Sequence, residues 1–114
     1  MAYDERVANR VREALANQAL VEERILFQGL AFMIGDKLCI CVRSQVLMCR
    51  IGHEQYEAAL EINGVEAMIH NGRSMKGYVF VSPQAYATRE AFDGWIQKCL
   101  HFNKFAKSSK KKKK

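Results

Sequence analysis

No run of apolar residues in this chain approaches the roughly 20 that a membrane-spanning helix needs. The first ten residues, MAYDERVANR, contain no apolar stretch of the kind that makes a secretion signal. A membrane or exported protein is therefore not expected, and the cytoplasm is the expected location. The glycines form neither a G-x-x-x-x-G-K-S/T phosphate loop nor a G-x-G-x-x-G dinucleotide turn. No segment repeats, which argues against a solenoid. The histidines, His53, His70 and His101, show no spacing that ties one of them to a serine or cysteine nucleophile. Neither catalysis nor a cofactor is expected.

A net charge confined to the folded part is also missing. The chain of 114 residues carries +6, but Lys107 and Lys110 to Lys114 supply all of it, and residues 1–106 hold 12 basic against 12 acidic side chains. The bulk charge of the domain gives no nucleic-acid footprint. The stretch KSSKKKKK has no apolar content and repels itself, so 107–114 is expected to be a disordered tail. Such a tail binds polyanions, nucleic acid included, without specificity and in a salt-sensitive way.

What remains is one domain, 1–106, with about half of its residues apolar and enough length for a single core. Val7, Val11, Ala14, Leu15 and Gln18 follow the spacing of one helix face, with Asp4 as the cap and an end near Leu20. The run from Arg24 to Ile34 reads as one strand, in which Gly29 marks a bulge or a close backbone approach. Gly35-Asp36 is a hairpin turn leading into Lys37–Val42, and Val46–Ile51 is a third strand. A helix over 54–62 presents Tyr56, Ala59 and Leu60. The strands 67–70 and 76–81 form a hairpin around Asn71-Gly72, and Ser82-Pro83 closes it. A last helix starts at the cap Thr88, and Phe92, Trp95, Ile96, Cys99, Phe102 and Phe105 form its apolar stripe. The expected class is α+β, in the order α-β-β-β-α-β-β-α, with a largely antiparallel sheet.

Period-two alternation places Leu38, Ile40 and Val42 on the core face of their strand and Cys39 and Cys41 on the other. The four cysteines, Cys39, Cys41, Cys49 and Cys99, are expected to be free thiols. Cys39, Cys41, Cys49 and His53 are the one set with zinc-ligand chemistry. The C-x-C spacing lacks the usual looped pattern, so small buried apolar cysteines are the preferred reading and no metal is expected. Arg24, Arg50, Arg73 and Lys76, with Tyr78 beside them, are the candidates for a nucleic-acid or partner contact, because a basic surface with an aromatic ring grips phosphate and stacks on a base.

The stretches MAYDERVANRVREAL and RILFQGLAFMIGDKLCICV resemble the N-terminal domain of the TfoX/Sxy competence-regulator family. The run Arg24-Ile25-Leu26-Phe27-Gln28-Gly29 matches that family's Arg-Met-Phe-Gly-Gly. Met75-Lys76-Gly77-Tyr78-Val79-Phe80-Val81 matches its Met-Lys-Gly-aromatic-Val strand, and Arg50-Ile51-Gly52 precedes the middle helix as in the family. The resemblance covers about residues 1–105. It implies a two-layer α/β fold similar to secretion chaperones and a link to competence gene expression. Gln28 departs from the family by replacing the first glycine of Phe-Gly-Gly; if that position has a positive φ, the side chain costs roughly 1 kcal/mol. Longer members carry a further C-terminal domain, for which 114 residues leave no room, so a stand-alone domain is expected.

The expected function is that of a non-enzymatic regulatory, protein-interaction domain. A partner, or a second copy in a homodimer, would use the helix-free sheet face around Cys41, or an edge strand. A nucleic-acid-binding transcriptional regulator and a metal-binding domain are the alternatives.

Overall fold

The computed structural model describes residues 3–26 and 28–106. Phe27 and the lysine-rich segment 107–114 of the sequence analysis lie outside them. Helix α1 spans Glu5–Ala14, followed by β1 (Val21–Leu26), β2 (Gly29–Ile34), β3 (Lys37–Arg43) and β4 (Val46–Arg50). Helix α2 (His53–Leu60) leads to β5 (Val65–His70) and β6 (Arg73–Val81). A 3-10 turn, Pro83–Tyr86, precedes α3 (Arg89–Asn103). The six strands form one sheet in the order β1-β2-β3-β4-β6-β5, antiparallel at every pairing. The α+β class and the antiparallel sheet agree with the sequence. One element differs, because the run expected as a single strand from Arg24 is two.

That split follows from the backbone. Gln28 sits at φ 62, a left-handed conformation, and turns the chain between Leu26 and its partner Gly29. Gly29 then lies so close to β3 that an added Cβ would sit 2.3 Å from the Val42 carbonyl oxygen. The glycine is there for approach rather than for a special φ. The Gly35-Asp36 and Asn71-Gly72 turns have positive φ at both residues, the hairpin geometry that matches strand twist. Helix α1 stops at Ala14 rather than near Leu20, since the chain must reverse to enter β1; Leu20 makes that reversal at φ 64. Its start is as expected, with the Asp4 carboxylate accepting from the amides of Arg6 and Val7. The Thr88 hydroxyl likewise accepts from the Ala91 amide and caps α3, a contact that contributes about 1 kcal/mol.

The buried side chains of all three helices join one core against one face of the sheet. Val7, Val11, Tyr56, Phe92, Trp95 and Ile96 meet Phe32, Ile40, Val42, Leu47, Val79 and Val81. The Trp95 indole, fixed by donation to the Ala85 carbonyl at 3.1 Å, anchors α3 over the strands. Residues of this size gain roughly 1.5–3 kcal/mol each on full burial, so this layer carries most of the stability.

Among the described residues the opposite face has no helix, yet it is closed. Ala31, Met33, Cys41 and Met48 are 0–1% exposed, and Leu38 and Met68 are buried beside them. Met75, Tyr78 and Phe80 pack over this second cluster. A bulge explains the closure. Phe32 pairs with Ile40 but Met33 pairs with Leu38, which leaves Cys39 as an extra residue in β3. A bulge bends its strand and increases its twist. The backbone at the end of β1 reaches over this face, where the Cys41 thiol donates to the Leu26 carbonyl at 3.7 Å. The bulge also corrects the expected alternation. Leu38 joins Met33 on the helix-free face, while Cys39 turns into the helical core with Ile40 and Val42. Cys39 and Cys41 therefore lie on opposite faces.

The two kinds of glycine make this frame testable. Gly29→Ala forces backbone apart and should destabilise the domain by about 3 kcal/mol. A methyl group on Gly94, in α3, would meet no other atom within 4 Å, and Gly94→Ala should stabilise the domain by about 0.5–1 kcal/mol. Urea unfolding of both variants checks the pair.

Candidate functional site

The four cysteines are free and buried. Cys39 on β3, Cys49 on β4 and Cys99 on α3 meet under the helix, with Cys99 in contact with both of the others. The sequence grouped Cys39 and Cys49 but not Cys99 with them, because Cys99 comes from 50 residues further along the chain and is placed only by the apolar stripe of α3. The hydrogen bond with Cys99, then burial, hold the Cys39 thiol far above the ordinary range. Cys99, although its bond to Cys39 favours the thiolate, is raised overall by Cys49 and by complete burial. Burial pushes Cys41 up to about 11 against the pull of Arg43. Protonated, enclosed thiols are poor nucleophiles and poor ligands.

The zinc set of the sequence analysis does not assemble. Cys41 lies on the helix-free face, Cys39 and Cys49 lie on the other, and His53 is exposed at the start of α2 beside Gly77. Among the described residues no group of three or more His, Cys, Asp or Glu side chains is placed to hold a metal ion. His101 is exposed near the end of α3, stacked edge-on against Phe105.

The five candidate contact residues are spread over the sheet. Arg24, on the edge strand β1, is engaged by Glu22 at 3.0 Å and Asp36 at 3.6 Å. Arg50 and Tyr78 face each other across β4 and β6; the guanidinium lies over the Tyr78 ring at 5.4 Å and over Phe102 at 5.5 Å. Arg73 and Lys76 are exposed on the β5–β6 hairpin, at the sheet edge opposite Arg24. The sheet face expected around Cys41 is also not an open surface, since Cys41 is fully buried. A Cys41→Glu change would place a charge in the core rather than probe an interface.

Two other features are open. At one end of the helix-free face lies a cleft of about 780 Å³ whose walls include Gln28, Arg43, Val46, Glu66, Phe80 and Ser82. The Arg43 guanidinium sits over the Phe80 ring at 5.5 Å and donates to the Gln28 side-chain oxygen at 3.3 Å. Sequence reading missed this site because its residues come from four strands, the β1–β2 turn and the segment after β6, and form no motif. The second feature is β1. Among the described residues it pairs only with β2, and Leu20, Ile25 and Leu26, at 77%, 67% and 37% exposure, cluster on or next to it. Its acids are already matched: the Arg12 guanidinium holds Glu23 through two bonds of 2.7 and 2.9 Å.

A single antiparallel sheet with the described helices on one face and buried thiols defines a small α+β domain. The model of the TfoX N-terminal domain matches residues 13–103, and the chain belongs to that family. It is thus a competence-regulator-like domain. Neither a curated protein nor a solved structure matches the chain. No helix among the described residues is long and apolar enough to cross a membrane.

The thiols carry a pH signature. Cys41 ionises near its ordinary value of 9 in the unfolded chain but resists ionisation to about 11 when folded. Its contribution is fully present below pH 9 and is lost as the pH rises through 11, a decline of about 2–3 kcal/mol. Denaturant unfolding from pH 8 to 11 should show a decline at least this large, because Cys39 and Cys99 are raised as well, and Cys41→Ala should make that limb shallower by about 2–3 kcal/mol. A thiol reagent should label no cysteine rapidly at pH 7.5 and all four in denaturant.

Proposed function

We propose that this chain is a non-enzymatic regulatory domain that works by protein contact, and that β1 is its contact strand, pairing with β1 of a second copy. The observation that carries the reading is the open edge of β1. Native sheets blunt free edges with proline, lysine, bulges or covering elements. The far edge, β5, carries a bulge between Ala67 and Ile69, whereas β1, VEERIL, has no proline, lysine or bulge.

The register of such a pair follows from the backbone. The Leu20 carbonyl accepts from the Gly35 amide at 3.2 Å, so alternate residues Val21, Glu23 and Ile25 turn their backbone groups to the free side. A two-fold axis at Glu23 sets Val21 against Ile25 and Glu22 against Arg24. The first pair covers the exposed isoleucine and the second is an opposite-charge pair. Glu23 meets its own mate, but Arg12 already compensates its charge. This isologous contact is closed and adds no further copies.

The full chain at about 100 µM should sediment as a dimer, a concentration that detects even micromolar association. Ile25→Lys, which puts a solvated charge on the edge, should give a monomer with unchanged thermal unfolding at dilutions where both are monomeric. A wild-type monomer at that concentration, or an undiminished dimer in the variant, sinks the reading.

A further inference from the structure

The cleft at the end of the helix-free face carries two opposite charges that the fold does not use. Arg43 is half-buried and makes no ion pair among the described residues. Its contacts are the Phe80 ring and the Gln28 side-chain oxygen, neither of which compensates a charge. Glu66 stands directly opposite Phe80 in the β5–β6 register, exposed and likewise without an ion pair. A guanidinium and a carboxylate thus line one cleft with an aromatic ring, and they do not pair with each other. Val46 extends the apolar wall, and Gln84 adds a polar side chain to the lining.

The residue that orients Arg43 is itself strained. Gln28 holds φ 62, a conformation that costs a non-glycine residue about 1 kcal/mol or more. Glycine would adopt it freely but could not reach the guanidinium. Holding a cation over a ring also keeps its outer N–H groups free for an anion while fixing its plane. A volume of about 780 Å³ lies within the range of small-molecule sites.

We propose that this cleft binds a short zwitterionic, peptide-like molecule with an apolar side chain. Arg43 takes the carboxylate by charge-assisted hydrogen bonds, Phe80 with Val46 takes the apolar body, and Glu66 takes the ammonium. A polyphosphate fits the site badly, because a single arginine meets it and Glu66 repels it. A wholly apolar ligand leaves the guanidinium desolvated and unpaired, at a cost.

The test is a titration of the full, isotope-labelled chain with the dipeptide Leu-Phe, its C-terminal amide and its N-acetyl form, followed by amide NMR shifts. Saturable shifts are expected at Ser44, Gly64 and Gln84. The amidated peptide should bind about tenfold more weakly, the loss of one charged hydrogen-bond pair, and acetylation should weaken binding several-fold. Arg43→Met, whose spectrum reports its folding, should abolish the preference for acid over amide. The comparison of the three peptides needs no variant, so the proposal stands or falls even if Arg43→Met does not fold. No saturable shift by about 10 mM, equal binding of acid and amide, or no effect of acetylation overturns it.

Discussion

The extra residue in β3 is the constraint on which the rest of this structure depends. Because Cys39 has no partner on β2, the strand changes face part-way along its length. Ile40 and Val42 then meet the helices, Leu38 meets Met33, and Cys39 itself turns under α3 towards Cys99. The bend and twist that a bulge imposes also let a sheet with helices on one side bury the other. Without it, Met33, Met48 and Cys41 would lie on an open apolar surface of the kind that drives association. The methionines suit this role, since an unbranched thioether fills an irregular, curved layer better than a branched side chain.

The same curvature decides where contact can occur. With both faces of the central strands buried, the available features are the ends and edges of the sheet. The β4–β6–β5 end is locked by Gly77, whose carbonyl accepts from both Ile51 and Gly52 where α2 departs. The β5 edge is further distorted by its own bulge. The opposite edge lacks such protection, and the charges on β1 are matched within the chain by Arg12, Glu22 and Asp36. Matched exposed pairs add little stability, under about 1 kcal/mol each, but they remove the repulsion that normally keeps an edge strand alone.

How far the sequence reveals this depends on whether a feature is local. The caps Asp4 and Thr88, the Gly35-Asp36 and Asn71-Gly72 turns and the apolar stripe of α3 from Phe92 to Cys99 are all set by residues within a few positions of one another, and they are legible; Phe105, expected on that stripe, lies past the helix end and is 68% exposed. The β1–β2 turn is not, because Gln28 occupies a left-handed position that usually falls to glycine or asparagine, and the apolar run passes through it without a break. The bulge at Cys39 has no sequence mark, so simple alternation misplaces Leu38 and Cys39. Arg24 reads as a free cation along the chain, and only the hairpin brings Asp36 beside it. Gln28, Arg43, Glu66 and Phe80 form a cleft solely because β4 and β6 are neighbours and β5 is not between them.

The proposed contact strand and the proposed cleft share one short piece of backbone. Leu26 ends β1 and its carbonyl bonds Cys41 on the helix-free face; two residues later Gln28 holds Arg43 over Phe80. A strand added along β1 restrains the hairpin that carries Gln28, and a carboxylate on Arg43 restrains the same hairpin from its other end. If both events occur, any coupling between them through this shared backbone is reciprocal by linkage. The strain at Gln28 has meaning in that setting. A glycine there would relax the turn but lose the contact with Arg43, whereas glutamine, at about 1 kcal/mol, keeps that contact next to the end of the edge strand.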